Sequence, residues 1–176
     1  MRPRARLAFV APALAVLATP VFALATPVLA SSATATSVNL PAKLAPEVAS
    51  ARHGRVPVLL PQNIRSDVPA SRLHASGGRT AHGYDIQLAY APHCNDGTAC
   101  FFAEFQGGAV TTEPGRPVAL ARRITGSFYA IHCGASCGPA SITWTDDGAR
   151  YSVQYVLGAK ASMVALADSA IEGGPR

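Results

Sequence analysis

Apolar and polar residues alternate through Tyr84-Asp85-Ile86-Gln87-Leu88-Ala89-Tyr90, so Tyr84, Ile86, Leu88 and Tyr90 fall on one face. A period of two is that of a half-buried β-strand. A second apolar run, Phe101-Phe102-Ala103-Glu104-Phe105, follows a loop containing Asp96-Gly97, and a turn pair between two such runs predicts a hairpin. Pro117–Ala121 and Ser127–Ile131 read as two further strands. Ser141–Trp144 and Tyr151–Tyr155 form another hairpin through Asp146-Asp147-Gly148, with Ile142, Trp144, Tyr151, Val153 and Tyr155 on a common inward face. Val56-Pro57-Val58-Leu59-Leu60-Pro61 is a short apolar run bracketed by prolines, which suits an edge strand because proline cannot donate to a ladder. Gln62–Thr80 is polar and glycine-rich, and reads as a loop.

The period changes at the end of the chain. Met163, Leu166, Ala167, Ala170 and Ile171 recur at helical spacing, which predicts a helix from about Ala159 to Ile171, ended by Gly173-Gly174. Together these elements predict an α+β fold, mainly an antiparallel sheet of about five to seven short strands with the C-terminal helix packed on one face.

The start of the chain has the pattern of a targeting segment. Arg2, Arg4 and Arg6 precede an uncharged apolar run from Leu7 to Leu29, closed by small residues at Ala30, so residues 1–30 are expected to be a signal peptide. Cleavage after Ala25 also fits, and so does retention of the run as a membrane anchor, against which Pro12, Pro20 and Pro27 weigh. Residues 31–55 are rich in Ala, Ser and Pro and lack a clear period. They predict a spacer, with two helical turns over Pro46–Arg52 as the one local signal. Residues 56–172 then make a single α+β domain, and 173–176 a tail. Net charge falls from +5 to +2 when three arginines and no acid leave with the leader. No basic run interleaved with aromatics is present, so nucleic acid is not an expected partner.

The cysteines come as two close pairs, Cys94/Cys100 and Cys133/Cys137. In a chain addressed to an oxidising compartment they predict disulfides. Of the three possible connectivities the local one is favoured, because each pair flanks a turn that can bring its Cα atoms to about 5.5 Å. The alternative is a copper or zinc site. His93 adjoins Cys94 and His132 adjoins Cys133, so His132, Cys133 and Cys137, with His93, would supply a soft sulfur and imidazole set. Catalytic signals are weak: there is no Gly-x-Ser-x-Gly elbow, and Asp146-Asp147 precede a glycine in the manner of turn residues.

The segment Ser141–Ile171, through Ile142-Thr143-Trp144, Gly148, Tyr151-Ser152-Val153 and Leu166-Ala167-Asp168-Ser169-Ala170-Ile171, resembles a bacterial exported, anti-sigma-associated domain family of unknown function. The resemblance implies an extracytoplasmic α+β module without assigned chemistry. The expectation is therefore an exported, periplasmic or secreted, non-catalytic module. It would need no cofactor, meet a membrane only through an uncleaved leader, and bind a protein or cell-envelope component through loops stiffened by disulfides.

Overall fold

In a computed structural model the chain is described over residues 35–94, 97–110 and 114–176. The expected leader lies outside the described residues, as do Asn95 and Asp96 of the first hairpin turn. The segments read as strands, joined by one more at the edge, form a seven-stranded antiparallel sheet: β3 (His74–Thr80), β4 (Gly83–Ala89), β5 (Phe101–Gly108), β6 (Arg116–Ala119), β7 (Thr125–Tyr129), β10 (Ala140–Asp146) and β11 (Ala149–Tyr155), in the spatial order β3-β4-β5-β11-β10-β7-β6. Two sequence-local meanders, β3-β4-β5 and β6-β7-β10-β11, thus meet along a single β5–β11 seam.

Cross-strand register explains why the inward residues form one core. Ile86, Phe105, Val153, Ile142 and Phe128 lie in one row across five strands, and Leu88, Ala103, Tyr155 and Ala140 in the next. All of them are buried. A third row runs Tyr84, Gly107, Tyr151, Trp144. The absence of a side chain at Gly107 makes room for the Tyr84 ring, since a Cβ there would stand 2.3 Å from its Cε1. The β10–β11 turn is the two-residue loop Asp147-Gly148, both at positive φ (46° and 77°), the conformation that matches the twist of a tight hairpin. Asp146-Asp147 thus take the turn position their sequence suggested.

The terminal helix α3 (Lys160–Gly173) buries the predicted stripe of Met163, Leu166, Ala167, Ala170 and Ile171 and packs on β10 and β11. Off that stripe, the Asp168 carboxylate accepts a 2.6 Å hydrogen bond from the Ala121 amide, tying the helix to the β6–β7 turn.

Three expectations are corrected, two of them over segments read as unstructured and the third over the strand expected at Val56–Pro61. The spacer predicted up to residue 55 is folded from Thr36 onwards: β1 (Thr36–Asn39) pairs with β2 (Asn63–Ser66), and helices α1 (Leu40–Lys43) and α2 (Ala45–Ala51) follow β1. Val38, Leu40, Leu44, Val48 and Ala51 are buried there, and α2 packs on β3 and β4. Leu40, Leu44, Val48 and Ala51 recur at intervals of four, four and three, the inward stripe of two consecutive short helices, a period hidden by the Ala-, Ser- and Pro-rich sequence around it. The second correction is the loop predicted over Gln62–Thr80, which contains β2 and β3. As a sheet edge, β3 carries polar residues, and Gly77 sits at φ 101°, where a Cβ would fall 2.2 Å from the Asp85 carbonyl oxygen.

Val58–Leu60 is buried but contributes only an isolated bridge, Leu59 with Pro175, and no ladder strand. The Arg176 amide donates to the Val58 carbonyl at 3.0 Å, so the expected tail is fastened to the domain. No helix among the described residues is long and apolar enough to cross a membrane.

Candidate functional site

The face of the sheet opposite the core is polar. Gln87, Glu104, Gln154 and Ser141 form one row on it, and Asp85, Gln106, Ser152 and Thr143 the next. Amide side chains bridge neighbouring strands, with Gln154 Nε2 donating to Glu104 Oε2 at 2.9 Å and Gln106 Nε2 to Asp85 Oδ2 at 3.1 Å. Such cross-strand pairs hold the polar groups at fixed positions.

Both cysteine pairs are disulfides with the local connectivity, at Cα separations of 5.8 Å for Cys94–Cys100 and 4.0 Å for Cys133–Cys137. Cys133–Cys137 joins two-residue strands β8 (His132–Cys133) and β9 (Cys137–Gly138), closed by a hydrogen bond from the Gly134 amide to the Ser136 carbonyl. This finger is solvent-exposed, whereas Cys94 and Cys100 are half-buried. Both loops leave the same end of the sheet, and both wall one hollow of about 200 Å³. Thr98 stands on one side, Cys137 and Pro139 on the other, and Gln87, Glu104 and Gln154 form its floor.

A β-bulge shapes this hollow. Leu88 pairs with Ala103 but Ala89 pairs with Phe101, so β5 carries one extra residue at Phe102. An extra residue inverts the alternation beyond it. Phe102 consequently enters the core between Tyr90 and Tyr155, edge to face at centroid distances of 5.3 and 5.5 Å, while Phe101 lines the hollow. The sequence signal was the doublet Phe101-Phe102, which cannot alternate regularly.

The two histidines of the alternative metal site go to different places. His93 is exposed beside Cys94, at φ 56°, and lines a larger hollow of about 750 Å³ on the β3 side of the Cys94–Cys100 loop. His132 packs edge-on to Tyr129 at 4.9 Å, with its ring over Gly138. With both sulfurs bonded to each other, Cys133 and Cys137 offer no thiolate. Among the described residues no group of three or more His, Cys, Asp or Glu side chains is placed to hold a metal ion.

Tyr90 lies near this end of the sheet and donates to Asp67 Oδ1 at 2.9 Å. Burial first, and then the hydrogen bond and charge of Asp67, raise its phenol above the ordinary range. Tyr90 thus remains a neutral hydrogen-bond donor. No family model, curated protein or solved structure matches the chain.

Proposed function

We propose that this protein is an exported, non-catalytic binding module that takes hold of a protein or cell-envelope component with the end of its sheet that carries both disulfide loops. The observation behind this reading is the shared hollow, in which Thr98 from one closed loop faces Cys137 and Pro139 from the other above Gln87, Glu104 and Gln154. Loops that are already rigid lose less conformational freedom on binding, so more of the contact energy appears as affinity. Two disulfides and the apolar leader pattern support the export part of the reading. The resemblance of Ser141–Ile171 to an exported domain family agrees with it.

The test is retention on an envelope fraction. Purified protein is compared with Thr98→Arg/Pro139→Arg, which fills the hollow, and with Arg52→Ala/Arg55→Ala, which changes exposed residues beyond α2. Loss of retention confined to the first variant is the expected result. Equal retention of all three proteins, or none by the parent, would refute the reading.

A further inference from the structure

We infer that the hollow of about 750 Å³ on the β3 side of the Cys94–Cys100 loop binds a small phosphate-bearing ligand through Lys43, His74 and His93. The inference goes beyond the loop-end reading, and its site shares only Gln87 with the smaller hollow.

Its three basic side chains come from separate elements: Lys43 from the end of α1, His74 from the first position of β3, and His93 from the residue preceding Cys94. Among the described residues no carboxylate lines the hollow, whereas Ser71, Ser76 and Gln87 add neutral hydrogen-bonding groups to it. The Lys43 ammonium gives the described lining a positive charge with no opposing carboxylate, and a concave site of one sign concentrates ligands of the other. The volume lies in the range that holds small ligands.

The donor types narrow the ligand further. Ammonium and imidazole groups are single-point donors that converge well on a tetrahedral oxyanion, and among the described residues no guanidinium lines the hollow to clamp a planar carboxylate with two parallel bonds. Among the described residues no Phe, Tyr or Trp lines the hollow, so it offers no large aromatic face on which to stack a base or a sugar.

The backbone at His93 provides an independent observation. A residue with a side chain rarely adopts φ 56°, and here the next residue is fixed by a disulfide. Conformations of this kind persist where the surroundings enforce them, and they concentrate at ligand clamps. The left-handed turn and the Cys94–Cys100 link together set the position from which the imidazole meets the hollow.

The experiment is a titration of the full isotope-labelled chain with pyrophosphate, and with glucose as an uncharged comparison, followed by amide and imidazole NMR signals. Saturable shifts at His74, Ser76, Gln87 and His93 are expected with pyrophosphate and none with glucose. Lys43→Gln/His74→Gln/His93→Gln should weaken the apparent affinity at least ~tenfold, the effect of losing one charge-assisted hydrogen bond. Lys43→Gln alone should weaken it in the same direction, which keeps the test decisive if the triple variant fails to fold. Non-saturating shifts overturn the inference, and so do shifts unchanged in the variants, equal shifts with glucose, or shifts centred on Arg52, Arg55 and Arg79. None of these outcomes alters retention on the envelope fraction, so the two readings fail separately.

Discussion

The Tyr84 hydroxyl completes both backbone groups of Leu59, donating to its carbonyl oxygen at 3.0 Å and accepting from its amide at 3.2 Å. Leu59 lies in the proline-bracketed segment that has no ladder of its own. A tyrosine from the sheet thus takes the part a neighbouring strand would have played. Tyr84→Phe leaves a buried N–H and C=O without this partner, and should destabilise the protein by about 1–3 kcal/mol. Urea unfolding should show a lower midpoint with an unchanged slope. Tyr90→Phe removes an exposed bond and should cost less.

Making Gly107 larger attacks the same contact from beneath. The Tyr84 ring occupies the space a Cβ would take, so Gly107→Ala must displace the ring and with it the hold on Leu59. A loss of about 1–3 kcal/mol is expected from overpacking, with the added cost of the broken hydrogen bonds. In the double variant Gly107→Ala/Tyr84→Phe the two losses should sum to less than their separate values, because both act on one contact.

The buried phenols set the alkaline limit of the fold. Burial first, then the charges of Asp146 and Asp147, push Tyr151 up to about 12, and burial followed by Asp67 pushes Tyr155 up to about 12. In the unfolded chain a tyrosine ionises near pH 10, so between about pH 10 and 12 the native state retains protons that the unfolded state has released. Stability should therefore be level up to about pH 10 and fall as the pH rises towards 12. Tyrosinate absorbance and circular dichroism recorded together should change in one transition. Ionisation of all five tyrosines near pH 10 with the fold intact would contradict this.

The two disulfides should differ in accessibility. Cys133–Cys137 lies on an exposed finger, whereas Cys94–Cys100 is half-buried. Mild reduction followed by alkylation and mass analysis should label Cys133 and Cys137 first. Each bridge closes a short loop, so opening either should cost about 2 kcal/mol.

Truncation at the N-terminal side of the domain offers a further check. Leu40 is fully buried between β1 and α2, although composition assigns its surroundings to a spacer. Leu40→Ala should lower stability by about 2–5 kcal/mol, as in other cores. An unchanged unfolding midpoint would show that residues 36–51 do not belong to the cooperative unit.

What could be read from the sequence follows from how much of each element is buried. Strands β4, β10 and β11 and helix α3 pass over the core with one face inside, so Ile86, Trp144, Val153 and Leu166 mark a period. Strand β3 lies at an edge and presents Ser76, Gly77 and Arg79, and residues of that kind carry no alternation to detect. The α1–α2 region fails differently: Leu40, Leu44, Val48 and Ala51 recur at helical intervals, but the break between the helices at Leu44 and the surrounding Ala, Ser and Pro hide the stripe. The cysteine pairing was legible from the close spacing within each pair. The hollow between the loops was not, since it depends on a bulge at Phe102 and on residues brought from four separate parts of the chain.

The β5–β11 seam has a consequence for the order of folding. Within each meander the strands meet neighbours close in sequence, but at the seam Glu104 bonds with Gln154, 50 positions away. Closing so long a loop costs entropy before any seam contact repays it. The meanders can gain structure early, whereas the hollow's floor of Glu104 and Gln154 exists only after they join. The end of the sheet proposed to bind is thus completed last, and the chain acquires its proposed function only with that final pairing.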